Sequence, residues 1–267
     1  MKLSDRLQSV AGLVTMGSRL ADIGTDHAYV PITLVAEQKI PSAIAMDIKK
    51  GPLQIAKEHI DRAGFGQYIS VRLSDGLEKL RAGEADSIVI AGMGGRLAVK
   101  ILSEGAAKLD GVREIILQPQ SEIAYVRRYL REHGMRIEME KMVMEDGKYY
   151  PMFRVILKED EAGGFPECEE AVAGDLPECK EAAAVGLAEC KEAAAVGLPE
   201  YTDIFDMFGR LLLERRDETL LSYLRYKKKK YKKVAAQLES VWSAEDRKQA
   251  IADEIALIEK AFAYMEV

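Results

Sequence analysis

Apolar residues along the first 160 positions fall in short runs that alternate with longer amphipathic stretches. Leu3, Leu7, Val10, Ala11 and Val14 recur at helical spacing and predict a helix over residues 3–15, capped or opened by Ser4 or Asp5. Residues 19–24 read as a first strand, and the helix after His27 carries Pro31 in its first turn. A second strand at 43–47 leads to a helix at 52–63, with Gly64 just past its end. Further strands are expected at 69–73, 87–91 and 114–118, and a helix at 122–133. Strands alternating with helices over this length argue for a parallel sheet covered on both faces. The pattern then changes. Residues 135–145 and 148–157 are two extended runs joined by Glu145-Asp146-Gly147-Lys148, whose Asp-Gly pair is a hairpin signal.

Residues 166–200 form an internal repeat of about eleven residues, each unit a short helix former bracketed by Pro or Ala and Gly. From Tyr201 the pattern is helical to the end. Ile204, Phe208, Leu211, Leu212, Leu220, Leu221 and Leu224 form an apolar stripe that runs into Tyr226-Lys227-Lys228-Lys229-Lys230-Tyr231-Lys232-Lys233. A second helix from about residue 244 to 264 carries Ile251, Ile255, Ile258 and Phe262. Two such helices suggest an antiparallel coiled-coil hairpin. Three parts follow: an α/β domain at 1–160, a low-complexity insert at 161–200 and a helical domain at 201–267.

Composition narrows this picture. Of 267 residues 48% are hydrophobic, enough for a full core, and the net charge of −6 announces no global field for nucleic acid. Neither a signal-peptide core nor a run of membrane-spanning length occurs, so a cytoplasmic protein is expected. Cys168, Cys179 and Cys190 lie eleven apart within the repeat, which is neither a disulfide framework nor a chelating pair, and no metal is expected.

Candidate chemistry gathers at the strand ends. Ala21-Asp22-Ile23-Gly24-Thr25-Asp26-His27-Ala28-Tyr29-Val30-Pro31 is a strand end, a glycine turn and a helix start, where α/β folds hold nucleotide-like ligands. Asp47 ends the second strand, and a carboxylate there accepts two hydrogen bonds from a ribose. Ser74-Asp75-Gly76 follows the third strand, where an acid accepts from an adenine amino group. Ala91-Gly92-Met93-Gly94-Gly95 ends the fourth strand, and its glycines leave backbone groups open to a ligand or a flat base, an ordinary tight turn being the plainer alternative. A bound adenosyl group is expected, in S-adenosylmethionine or a dinucleotide. The terminal hairpin favours a class I methyltransferase sheet over a nicotinamide-binding one, which would also want the full three-glycine turn.

Together these residues resemble a known family, the bacterial tRNA (adenine(22)-N(1))-methyltransferases. Residues 21–31, Asp47, Ser74-Asp75-Gly76-Leu77, Ile90-Ala91-Gly92-Met93-Gly94-Gly95 and Leu117-Gln118-Pro119 follow its motifs in order, over about residues 3–158 and more weakly through the tail. Two features depart from it: the cysteine repeat, and Arg210 after Phe208-Gly209, where a proline is expected. The resemblance implies a Rossmann-like methyltransferase domain with a C-terminal coiled coil, using S-adenosylmethionine on N1 of an adenine in the D-arm region of tRNA. Asp22, Gly24, Asp47, Ile48, Asp75, Gly76, Ala91, Gly92 and Met93 are then the expected cofactor residues. Asp26, His27 and Tyr29 are the expected catalytic residues, Tyr29 as a platform for the exposed base and Asp26 with His27 for its charge. Gly94, Gly95, Lys227, Lys228, Lys229 and Lys230 are expected to face tRNA. The chain is expected to work as a monomer with tRNA as its partner and no membrane. Another nucleic-acid adenine methyltransferase, or a non-catalytic RNA-binding protein with a vestigial adenosyl pocket, are the readings left beside it.

Overall fold

The computed structural model describes residues 3–157, 199–238 and 245–266. The 166–198 repeat and its cysteines therefore lie outside the described residues. Seven strands form one sheet: β1 (Leu20–Ile23), β2 (Ala43–Asp47), β3 (Ile69–Leu73), β4 (Ser87–Gly94), β5 (Glu114–Ser121), β6 (Arg136–Glu145) and β7 (Lys148–Ile156). Their order is β3-β2-β1-β4-β5-β7-β6, with the first five parallel and β7 antiparallel to both neighbours. A parallel sheet finished by a hairpin is thus borne out, and the turn sits at Asp146-Gly147, both with positive φ.

Helices α1 (Asp5–Ala11), α2 (Tyr29–Ala36) and α3 (Lys50–Ala63) pack on one face; α4 (Gly95–Glu104) and α5 (Ile123–Glu132) pack on the other. Every residue of β1 is buried, as a strand covered on both sides requires. In α3 the buried positions Leu53, Ala56 and Ile60 fall on one stripe, and Gly64 closes the helix at φ +79°. Ser4 caps α1, but that helix ends at Ala11, four residues short of the expected end, because Gly12 turns the chain and Leu13 enters the core.

The tail comprises α6 (Thr202–Phe208), α7 (Arg210–Glu214), α8 (Glu218–Leu238) and α9 (Glu245–Glu266). The helical pattern expected from Tyr201 onward is broken twice before α8. Gly209 has φ +91°, and Arg216, at φ +53°, precedes Asp217, whose Oδ1 caps α8 by accepting from Thr219 and Leu220 N–H. Arg210 opens α7 and pairs with Glu214, so the departure from proline leaves the local geometry intact. The long helices α8 and α9 lie against each other, joined by Lys228–Glu259 at 3.1 Å and by a core of Leu220, Leu224, Ile258 and Ala261. That core also takes Met142 of β6.

A buried ion pair docks the tail. Arg127 of α5 and Glu140 of β6 meet at 2.8 Å with side chains only 4% and 2% exposed. Arg127 Nη1 donates to the carbonyls of Asp206 and Met207, both 3.1 Å, while Glu140 Oε2 accepts from Leu211 N–H at 3.1 Å. A Cβ on Gly209 would lie 2.5 Å from the Glu140 carboxylate, so only glycine lets the α6–α7 bend cross here. Removing one charge leaves the other buried and unpaired. Glu140→Ala should therefore lower unfolding free energy by about 3–5 kcal/mol, read by urea unfolding with circular dichroism. The Arg127→Met/Glu140→Leu pair, which removes both charges, should lose less.

Candidate active site and nucleic-acid interface

Strands β1 and β4 are parallel neighbours, but β2 lies outside β1 and β5 outside β4, so their following loops diverge and leave a crevice. Gly24 and Thr25 N–H both donate to the Met46 carbonyl, at 2.8 and 2.9 Å, which draws the first loop over β2. Gly24 has φ +75°, and a Cβ on it would lie 2.1 Å from the Met93 methyl, so the first loop and the end of β4 meet at this position. The plainer alternative of a tight turn straight after the fourth strand does not hold. Strand β4 runs on to Gly94, still paired with β5 through a register shift around Gly92, which has φ +79°. Gly95 opens α4 and is buried, and a Cβ there would strike the carbonyls of Ser121 and Glu122 at 2.6 and 2.9 Å. Its missing side chain accommodates the β5–α5 joint, while Ala91 and Gly94 are half-buried and Gly92 is exposed.

The acids stand around this crevice. Asp22, at the end of β1, is buried, and burial above all pushes its carboxyl up to about 6; the nearby Thr25 hydroxyl opposes the shift and the Asp47 charge adds to it. Such a group gains by meeting a cation. Asp47 accepts from Lys49 N–H through Oδ1 at 2.7 Å, which leaves Oδ2 for another donor. Ile48 beside it is 58% exposed, a large apolar side chain held at the surface. Ser74 Oγ donates to the Gly76 carbonyl and accepts from Lys79 N–H, fixing the turn that presents exposed Asp75.

Three rings gather at the first loop. His27 and Tyr29 stack with centroids 5.0 Å apart, and His59 of α3 stands 5.3 Å from His27 and 5.4 Å from Tyr29, all close to parallel. His27 Nε2 lies 3.2 Å from Asp26 Oδ2, and Asp26 is 77% exposed. The other ring nitrogen, His27 Nδ1, is buried with no hydrogen-bond partner among the described residues. Sequence reasoning missed His59, which sits mid-helix with no motif around it. It also missed Arg6, which donates to Gln118 Oε1 at 2.9 Å and ties α1 to the end of β5.

The hairpin turn lies on this same edge, because β7 runs antiparallel to β5 and its first residues extend past the C-terminal end of β5. Tyr149, just after the turn, bonds Ser222 of α8 and packs on Tyr223 and Tyr226. The lysine run is split by its helix. Lys227 bonds Tyr231 Oη at 2.6 Å and Lys228 pairs with Glu259, so both are turned inward, a correction to the four-lysine surface. Arg225, Lys229, Lys232 and Lys233 share one exposed stripe at i, i+4, i+7 and i+8, with Lys230 at its margin.

A sheet of this order, with its polar groups on the loops after β1, β2, β3 and β4, defines a Rossmann-like methyltransferase domain. A family model described as a methyltransferase domain matches residues 3–153. The tRNA (adenine(22)-N(1))-methyltransferase of Bacillus subtilis (strain 168) is 45% identical over 150 residues, covering 56% of this chain; that match spans only 63% of the relative's own length. The crystal structure of the B. subtilis m1A22 tRNA methyltransferase TrmK superposes with a TM-score of 0.75 at 30% identity, covering 97% of this chain and 98% of the other. Streptococcus pneumoniae Sp1610, solved in complex with S-adenosyl-L-methionine, gives 0.71 at 30% identity, covering 97% and 99%. The chain belongs to the methyltransferase-domain family and, within it, to the bacterial tRNA (adenine(22)-N(1))-methyltransferases.

The two glycines should respond differently to substitution. Gly24→Ala meets a flexible thioether end that can swing aside, so its cost is the left-handed backbone, about 1–2 kcal/mol, and adding Met93→Ala should not recover it. Gly95→Ala meets backbone carbonyls that cannot yield and should lose about 1–3 kcal/mol without any φ penalty. Urea unfolding of the three variants checks both.

Proposed function

We propose that this chain transfers the methyl group of S-adenosylmethionine to N1 of adenine 22 in the D-arm region of tRNA, and that it does so in the cytoplasm, where tRNA is found. The observation that carries the reading is the crevice where Gly24 meets Met93, with acids on three successive strand ends around it. The name of the Bacillus subtilis relative supports the substrate, and the bound ligand of the Streptococcus pneumoniae structure supports the cofactor.

The residues present fit that cofactor. Buried Asp22 suits an ammonium group, the free Oδ2 of Asp47 suits a ribose hydroxyl, and exposed Ile48 with Asp75 suits the apolar face and amino edge of an adenine. When bound, S-adenosylmethionine supplies a methyl group on a cationic sulfur, so transfer leaves a positive charge on the methylated adenine ring. N1 of adenine is normally paired and stacked, so the enzyme must expose the base and hold it flat. Tyr29, flanked by His27 and His59, offers the aromatic face for this. Asp26 places an exposed carboxylate at the same loop, where it stabilises the charge the ring acquires, and His27 Nε2–H orients it. Positioning supplies much of the remaining rate. The basic stripe of α8 contacts phosphates and reads no sequence.

A labelled-methyl assay on a tRNA transcript tests the reading. One label per tRNA with adenine at position 22, and none with guanine there, is the expected result. Equal labelling of both transcripts would move the reaction to another adenine, and RNA binding without labelling would favour the vestigial-pocket reading.

Two variants separate the parts. Asp47→Ala should weaken S-adenosylmethionine binding by roughly 1.5–3 kcal/mol in calorimetry while the fold is kept. Replacing Lys229, Lys232 and Lys233 with Gln should weaken tRNA binding and flatten its salt dependence by about two to three counterions. Cofactor affinity of that variant should not move. Identical salt slopes would reduce the stripe to a solvated face.

A further inference from the structure

The loop between β1 and α2 holds an unusual conformation at a residue with a side chain. Ala28 is the N-cap of α2 and sits at φ +55°, ψ 24°, in the left-handed region that alanine enters only at a cost. No side chain caps the helix there. The Ala28 carbonyl is the first to enter the helical ladder, accepting from Ile32 N–H at 2.9 Å. The carbonyl before it, that of His27, precedes the ladder. The partner it finds comes from another element: His59 Nδ1 of α3, at 3.2 Å. A carbonyl oxygen only accepts, so the His59 ring must carry its proton on Nδ1 in this arrangement. That hydrogen bond grips the peptide leading into Ala28, and the orientation of this peptide sets where the side chains of His27 and Tyr29 stand on either side. The His59 ring then lies 24° from the plane of His27 and 9° from that of Tyr29, closing the cluster.

We propose that His59 is a positioning residue, which holds the Asp26–Tyr29 loop in its strained form through the His27 carbonyl and so presents the ring platform to the base. This rests on the methyltransferase reading for its catalytic consequence, though not for its structural one. His59 touches no reacting atom in this account. It acts by keeping the left-handed turn populated, so its loss should lower turnover more than cofactor affinity, since the acids of β1, β2 and β3 are anchored elsewhere.

The test uses the full chain as parent, His59→Ala and His59→Asn, the amide of Asn being able to place a donor close to where Nδ1 stands. Hydrogen exchange followed by mass spectrometry on peptides covering residues 25–32 reads the loop with no cofactor or RNA present. Methyl transfer to tRNA and S-adenosylmethionine affinity are measured on the same proteins, with a melting curve for each. The expected result is exchange about tenfold faster in His59→Ala, kcat down about tenfold and cofactor affinity within twofold. His59→Asn should return both exchange and kcat toward the parent. Unchanged loop exchange in His59→Ala, or an Asn variant as defective as the Ala variant, would overturn the proposal. Should His59→Ala fail to fold, the Asn variant decides alone, because it must keep parental exchange and turnover. A parent that does not methylate tRNA would count against the proposed function, while the exchange result would still decide the role of His59.

Discussion

The catalytic edge depends on two parallel strands, β1 and β4, whose following loops come together where Gly24 has no side chain. Their backbones diverge to opposite sides of the sheet, so a crevice opens between them, with the Met93 methyl resting against Gly24. The first loop passes through left-handed Gly24 at φ +75° and the end of β4 through left-handed Gly92 at φ +79°, positions that favour a residue without a side chain. The acids then follow from topology. Asp22, Asp47 and Asp75 stand at or just past the C-terminal ends of β1, β2 and β3, which are consecutive in the sheet as well as in the chain.

A second constraint joins this edge to the tail. The Arg127–Glu140 pair is buried between α5, β6 and the α6–α7 bend, and its two side chains bond the tail through backbone groups of Asp206, Met207 and Leu211. Backbone partners fix position more tightly than mobile side chains do. The helical hairpin is thereby seated on the β6–β7 layer, with Tyr149 packed edge-on against Tyr223 of α8.

Much of the sheet was legible because its strands are apolar runs and its hairpin carries Asp-Gly. The glycine loops were legible for the same reason, since a left-handed turn between strand and helix asks for that residue. The packing need at Gly95 was not legible: glycines needed for packing look the same in sequence as glycines needed by a ligand, and the close carbonyls of Ser121 and Glu122 appear only in the fold. The lysine run was half legible. Leu220, Leu224, Lys227 and Tyr231 share one stripe, so the buried face of α8 already pointed to Lys227 as inward. The Arg127–Glu140 pair was hidden because charged residues are seldom buried, and their mutual burial depends on elements brought together only by the fold. His59 was hidden likewise, 32 residues from the carbonyl it holds.

The central claim is that the space between the first and fourth strand loops is the cofactor site. A crystal structure of this chain with S-adenosylhomocysteine measures that directly. The sulfur should sit beside Gly24, with the Met93 methyl moved off that glycine and the ribose hydroxyls on Asp47. A nucleoside bound elsewhere, with Met93 still resting on Gly24 and Asp47 bonded only to Lys49, would contradict it.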